Sequence, residues 1–439
     1  MEHLMALQCI RCGRQYTPAE VEYTCPACGV RGILEVLYDY KRIAASFSKE
    51  TLTANPDRSI WRYRPLLPVE PSSAVPSLHV GNSPLYPVDR LRFALGMSRL
   101  WVKDDGRNPT ASLKDRASAV GIVKALERGA QVVTCASTGN AAASWAGMAA
   151  SLGLPCIIFV PKTAPQGKLA QLLIFGATVF PVEGTYDDAF ALAIQATARF
   201  GWYNRNTAYN PYLVEGKKTV ALELAEQMNW QVPDVVFVPV GDGCILSGVF
   251  KGFVDLLSLG WIERMPTIIG VQSEGSRVLE MAWRTHLPLS FAPSSTVADS
   301  IATGMPANGE MALRDLYRWD GRMVAVPDAE ILTAMRLLGE KTGIFAEPAA
   351  AASLAGLRAA RERGWVREDQ TIVLLVTGNG LKDVGSALRT VTMPNPIAPT
   401  LEAVEKALLD QTETRSSSKP TLGPSESVKR TESSLRGSA

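Results

Sequence analysis

Histidine is scarce. His3, His79 and His286 are the whole complement and lie scattered outside every motif described below, so a histidine-ligated metal centre or a Ser–His–Asp triad has no support. An excess of one charge is missing too. Lysine and arginine number 45 against 43 aspartates and glutamates, and a net charge of +2 creates no broad field to attract nucleic acid or an anionic membrane. There is no run of 18 apolar residues that could cross a bilayer. The opening segment MEHLMALQCI lacks the basic start, long apolar core and small-residue cleavage site of a secretory signal. The expectation is a cytoplasmic protein with no nucleic-acid or membrane partner, working on a small molecule and assembling as a homodimer.

What is present is a chain of 439 residues, 46% hydrophobic and 20% charged, with room for two domains and small attachments. Four of its seven cysteines form Cys9-x-x-Cys12 and Cys25-x-x-Cys28, each pair followed by a glycine, Gly13 or Gly29. Two knuckles separated by twelve residues supply four thiolates for one tetrahedral, structural Zn²⁺ in a zinc ribbon. A pair of disulfides is the alternative, which the otherwise intracellular composition disfavours. Cys135, Cys156 and Cys244 lie in or beside apolar runs and read as buried fillers.

Residues 41–77 are mixed and punctuated by proline, which predicts a connecting segment with little regular structure. From Leu78 onward short β-branched runs, QVVTCAS, PCIIFVP, ATVFPVE, DVVFVPVG, TIIGVQSE and TIVLLVTG, alternate with helical stretches such as TYDDAFALAIQATARFG. Such alternation builds parallel sheets with helices on both faces. The number of units predicts an α/β protein of two parallel-sheet domains with a cleft between them. After Pro394 a helix over LEAVEKALLDQ precedes a Ser/Thr/Lys-rich tail from about Thr412, too polar to fold.

In NPTASLKDRA, Ser112 and Asp115 have capping-box spacing, and Ala119, Ile122, Val123 and Leu126 follow with helical periodicity. Lys114 therefore falls in a first helical turn, where the helix dipole disfavours a cation. That placement suits an amine with a lowered pKa, as Schiff-base chemistry needs; a lysine snorkelling to solvent is the plainer alternative. Three glycine-bearing loops follow predicted strands. STGN (Ser137, Thr138, Gly139, Asn140) opens an alanine-rich helix and suits a carboxylate. GDGCIL (Gly241, Asp242, Gly243, Cys244, Ile245, Leu246) can ring a phosphate with backbone N–H groups. VTGNGLKD puts the hydroxyl of Thr377 at a strand end. An amine, a carboxylate site, a phosphate site and a hydroxyl for a ring nitrogen make up the inventory for pyridoxal phosphate.

These segments, with Gly81-Asn82-Ser83-Pro84-Leu85, NPYLVEGKKT and FAEPAAAASLAG, resemble the threonine synthases, within the pyridoxal-phosphate enzymes of the tryptophan synthase β-subunit type (fold type II). The likeness covers roughly residues 78–392, and many members of the family also carry a zinc ribbon. The resemblance implies that Lys114 carries the cofactor covalently and shuttles protons, that Asn140 lies beside its 3-hydroxyl and that Thr377 bonds its ring nitrogen. It also implies that Ser137, Thr138 and Asn140 grip the substrate carboxylate, while N–H groups from Asp242 to Leu246 hold the cofactor phosphate. The chain then divides into a zinc ribbon (1–40), the connecting segment (41–77), a large cofactor-binding domain (78–117 and 204–395), a small α/β domain (118–203) and a mostly disordered tail (396–439).

Two positions depart from that pattern. Leu213 stands where the family carries an arginine for the substrate phosphate, and Ile245 where it carries an asparagine; each lost contact is worth on the order of 2 kcal/mol. Lys168 or Lys218 could substitute. Asp242 beside a phosphate loop is repulsive unless turned toward a partner such as Lys251 or Lys382. The loop PVGDGCILSG also resembles that of serine and threonine dehydratases, so two reactions stay open: conversion of O-phosphohomoserine and water to threonine and phosphate, or β-elimination or β-replacement on serine, threonine or phosphoserine. A non-catalytic body with the ribbon as a docking module is disfavoured by the balanced charge and the intact lysine.

Overall fold

A computed structural model of the protein describes residues 3–417 except 138, 163 and 165, with the backbone alone for 166–168 and 411–417. All six β-branched runs become strands. They join shorter ones to give β1 (Leu4–Cys9), β2 (Gln15–Tyr16), β3 (Leu34–Tyr38), β4 (Leu85–Pro87), β5 (Arg99–Asp104), β6 (Val133–Ala136), β7 (Cys156–Pro161), β8 (Thr178–Val182), β9 (Tyr203–Asn204), β10 (Val235–Pro239), β11 (Thr267–Ser273), β12 (Arg322–Val326) and β13 (Thr371–Val376).

A six-stranded sheet runs in the order β12-β11-β10-β13-β5-β4, and a four-stranded one in the order β8-β7-β6-β9. The smaller sheet is parallel throughout. In the larger, β4 is antiparallel to β5 and corrects the expectation of a wholly parallel sheet at that edge. Alternate residues of the central strands enter different cores: Val236, Val238, Val373 and Leu375 pack on one side, and Val235, Phe237, Ile372 and Leu374 on the other. A strand buried on both faces has no polar side to display, which is why these runs are continuously apolar.

The helix Lys114–Glu127 is enclosed too. Every residue from Asp115 to Ala125 is buried, so its sequence periodicity understates its environment. It packs against the helix Tyr212–Gln227. A side chain at Gly216 would place a Cβ 2.1 Å from the carbonyl oxygen of Arg116, so the absence of one lets the two backbones touch. The Tyr212 helix in turn packs on the helix Cys244–Ser258, where a Cβ at Gly248 would come 2.8 Å from Cβ of Lys217.

The N-terminal sheet, ordered β2-β1-β3, is antiparallel. The segment 41–77 is more regular than its composition suggests, with helices at Tyr40–Ala44 and Lys49–Ala54 and a 3₁₀ stretch at Ile60–Leu66; burial of Ile60, Trp61, Tyr63, Leu66 and Leu67 holds it down. From Thr392 onward the described residues form a separate unit. Its helix spans Leu401–Ser417 and so continues past Thr412; the tail expected over 418–439 lies outside the described residues.

Candidate active site

The strand order assembles the site. β10, β13 and β5 are parallel neighbours, so the loops that leave their C-terminal ends emerge on one edge, where open α/β sheets bind ligands. These are GDGCIL, TGNG and the segment leading to Lys114. The last two are stitched together: Leu113 N–H donates to the Thr377 carbonyl at 2.9 Å, Asn379 N–H donates to the Ala111 carbonyl at 3.1 Å, and Ser112 bridges Gly378. Ala111 adopts φ 65°, a left-handed conformation that costs a non-glycine residue about 1 kcal/mol and is sustained by these surrounding bonds.

Lys114 is the first residue of its helix, as its sequence context predicts, but the capping box does not form. The N-cap is Leu113, without a side-chain bond. Asp115 reaches past Ser112 and accepts from the Thr110 backbone N–H at 2.7 Å and its hydroxyl at 2.5 Å. Arg116 fixes the preceding loop through a fully buried fork to Asp105, Nε–Oδ2 2.7 Å and Nη2–Oδ1 2.9 Å. Burial lowers the Lys114 pKa, reinforced by the nearby guanidinium of Arg205 and opposed by Cys244, Asp242 and Glu347. The amine is thereby shifted toward the neutral, nucleophilic form.

The STGN loop approaches from the smaller sheet. Asn140 begins the helix Asn140–Ser151, and its Nδ2 donates to Oε1 of Glu347 at 2.8 Å and to the Ser300 hydroxyl at 3.3 Å. Glu347 N–H donates to the Gly378 carbonyl at 3.1 Å, so Asn140, Glu347 and the TGNG loop form one cluster. Burial raises the Glu347 pKa, against the amide of Asn140 and the charges of Lys382 and Lys114. Ser137 accepts from Gly139 N–H at 3.2 Å; Thr138 lies outside the described residues. A cavity of about 420 Å³ opens beside this cluster, with Ala111, Asn140, Gln171, Ser300, Glu347 and Lys382 in its wall.

On the other side of β13, Gly243 is the N-cap of the Cys244 helix at φ 90°, a conformation suited to glycine. The N–H groups of a first helical turn have no intrahelical acceptors, so those of Cys244, Ile245 and Leu246 can serve an anion. An added Cβ at Gly241 would meet Cα of Ile301 at 3.0 Å. Asp242 turns to neither lysine expected of it. Its carboxylate accepts from Ala307 N–H at 3.1 Å and lies 3.5 Å from the Thr303 hydroxyl, while Lys251 donates to the Val36 carbonyl and Lys382 to Gln171. Burial raises the Asp242 pKa, opposed by that N–H and by Lys114 and Lys217.

The substitutes expected for the missing arginine also change. Leu213 is fully buried and packs on Gly121. Lys218 is committed to Glu215 and Asp255, each at 2.6 Å; the side chain of Lys168 lies outside the described residues. The sequence singled out neither Glu347, which was legible as the acid ahead of a helix-starting proline, nor Arg205 and Lys217, for which it held no local signal. The amine, the free N–H groups and the close-packed glycines fit pyridoxal phosphate.

At the N-terminus the four sulfur atoms of Cys9, Cys12, Cys25 and Cys28 lie within 4.8 Å of one another, a cluster that could hold a metal ion. Cys9 ends β1, and Cys25 N–H donates to the Gly32 carbonyl just before β3, so the antiparallel sheet sets the two knuckles face to face. None of the seven cysteines forms a disulfide.

A family profile described as pyridoxal-phosphate dependent enzyme matches residues 76–378. The chain is 40% identical to a threonine synthase of Methanocaldococcus jannaschii, over 92% of its own length and 99% of the relative's, and 38% identical to one of Methanosarcina acetivorans, over 92% and 98%. Among solved structures it resembles diaminopropionate ammonia lyase of Escherichia coli (TM-score 0.63, 20% identity, 79% of this chain and 92% of that one). It also resembles threonine deaminase isoform 2 of Solanum lycopersicum (TM-score 0.62, 23% identity, 71% and 88%); at such identities the likeness concerns the fold. The chain therefore belongs to the pyridoxal-phosphate-dependent enzymes of fold type II and, within them, to the threonine synthase family.

Proposed function

We propose that this chain converts O-phosphohomoserine and water to threonine and inorganic phosphate, with pyridoxal phosphate at Lys114 and a structural Zn²⁺ on Cys9, Cys12, Cys25 and Cys28. The observation that carries the reading is the end-to-end likeness to threonine synthases, together with a pKa-lowered amine at the junction of three loops. Lys114 would hold the cofactor, the N–H groups at the start of the Cys244 helix its phosphate, and Asn140 and Thr377 the polar atoms of its ring. When bound, the cofactor supplies an electron sink that acidifies protons on an amino-acid substrate.

The chain's own groups supply the rest. Lys114 Nζ takes the Cα proton and one Cβ proton and delivers protons to Cγ and back to Cα, as an amine with a lowered pKa does near neutrality. Across the reaction the Cγ–O bond breaks, phosphate leaves with the bonding pair, Cγ gains a proton to become the methyl group, and water contributes hydroxide to Cβ and its remaining proton to the phosphate. Ser137 and Thr138, with Asn140, receive the substrate carboxylate at the start of the Asn140 helix. Cys9, Cys12, Cys25 and Cys28 would hold the zinc with four thiolates, and the metal would then support folding and take no part in the chemistry.

The test is a side-by-side assay. O-phosphohomoserine should yield threonine and stoichiometric phosphate, while serine and threonine yield little 2-oxo acid. Inert phosphohomoserine with rapid deamination of serine or threonine would overturn the proposal in favour of a dehydratase. Borohydride reduction followed by peptide mapping should find the cofactor on Lys114 and not on Lys103 or Lys124.

A further inference from the structure

Two cations sit behind Lys114 without an acid to neutralise them. Arg205, immediately after β9, has no exposed surface. Its Nε donates to the Ser118 hydroxyl at 3.3 Å, yet Nη2 has no hydrogen-bond partner. Lys217, equally enclosed, directs Nζ only toward the Leu213 carbonyl at 3.4 Å. Among the described residues neither forms an ion pair.

Their backbones explain where they point. Ser118 is one helical turn after Lys114, so Arg205 borders the face of that helix which carries the reactive amine. Gly248 is one turn after Cys244, and Lys217 packs against it, bordering the face that begins the phosphate loop. Both cations lie within electrostatic range of Lys114 and of the Cys244 sulfur. Three basic side chains and the positive end of a helix thus lie within electrostatic range of one another, and the carboxylates that act on them, Asp242 and Glu347, are fewer than the cations. An unpaired buried cation is costly, and an orphaned guanidinium nitrogen adds the cost of an unmade charge-assisted bond. A space with that excess positive charge is built for anions carrying more than one negative charge.

We propose that Arg205 and Lys217 seat the phosphate of the substrate, a phosphomonoester dianion, next to the cofactor phosphate on the Cys244 helix. This assignment rests on the reaction proposed above. It gives the phosphate a guanidinium fork and an ammonium although position 213 is leucine, and Lys114 is close enough to both to pass protons to the carbon chain while the leaving group is held.

The test uses the cofactor-loaded enzyme, whose own phosphate already fills the loop, with inorganic phosphate as probe in calorimetric titration. Lys217→Gln and Arg205→Gln should each weaken phosphate binding about tenfold or more and raise KM for O-phosphohomoserine similarly, and Arg205→Lys should recover part of the loss. Cofactor affinity should change less than about threefold. If cofactor affinity collapses while phosphate binding to reloaded enzyme is unchanged, the cations serve the cofactor and the assignment is wrong; unchanged phosphate binding and KM overturn it as well. Should Arg205→Gln fail to fold, Lys217→Gln decides alone. A wild-type enzyme that binds phosphate through these residues but leaves O-phosphohomoserine untouched would keep the seat and overturn the proposed reaction, whereas turnover indifferent to both substitutions would do the reverse.

Discussion

The charge state of Lys217 gives a quantitative handle on this arrangement. Burial lowers its pKa from 10.5 to about 7, with Arg205 and Lys114 adding to the effect and Cys244 and Asp242 opposing it. Between pH 7 and 10.5 the unfolded chain holds a proton at this position that the folded, cofactor-free chain has lost, so stability rises with pH across that window. Below pH 7 both states are protonated and the full penalty applies, on the order of 5 kcal/mol. Many groups titrate in this range, and the comparison of wild type with Lys217→Gln isolates one of them. In denaturant unfolding of the cofactor-free protein, the variant's stability relative to wild type should improve by roughly 3 kcal/mol on going from pH 9 to pH 7, about 1.4 kcal/mol per pH unit. The difference should level off at lower pH. Saturating inorganic phosphate should shrink it, because an anion restores the charged form in the wild type alone. A stability difference that is independent of pH would refute the reasoning.

Other predictions follow from individual contacts. Gly216→Ala drives a methyl group between two backbones, 2.1 Å from the Arg116 oxygen and 2.7 Å from Cα of Ala117, and should cost about 3 kcal/mol in denaturant unfolding; an unchanged midpoint would contradict the packing. Glu347→Gln keeps an acceptor for Asn140 but removes a charge that raises the Lys114 pKa, so the pH midpoint for covalent cofactor attachment, followed by absorbance, should move down. Thr377→Ala should leave cofactor attachment intact and lower kcat, and an unaltered steady-state rate would remove Thr377 from the ring nitrogen. Metal analysis should find one zinc per chain, lost in Cys25→Ser together with stability; the borohydride adduct at Lys114 should persist in the folded fraction.

The features that local chemistry governs were legible from the chain alone. Continuous apolar runs such as VVFVPV and TIVLLV became doubly buried strands because alternate side chains on both faces meet a core. The spacing of Cys9, Cys12, Cys25 and Cys28 foretold their convergence, and Lys114 starts its helix as the pattern around it predicts. The same local pattern misled where a longer-range partner competed: Asp115 left the capping box for Thr110, and Asp242 chose the Ala307 N–H over a lysine. Strand order was invisible, because period-two alternation says that a strand is buried but not which strand lies beside it. Only tertiary structure placed β13 between β10 and β5 and so joined the Thr377 loop to the segment before Lys114. It alone decided which lysine of the Lys217–Lys218 pair is neutralised. Adjacent residues on a helix point about 100° apart, and here that rotation turns Lys218 toward Glu215 and Asp255 and leaves Lys217 without an acid, within electrostatic range of Lys114.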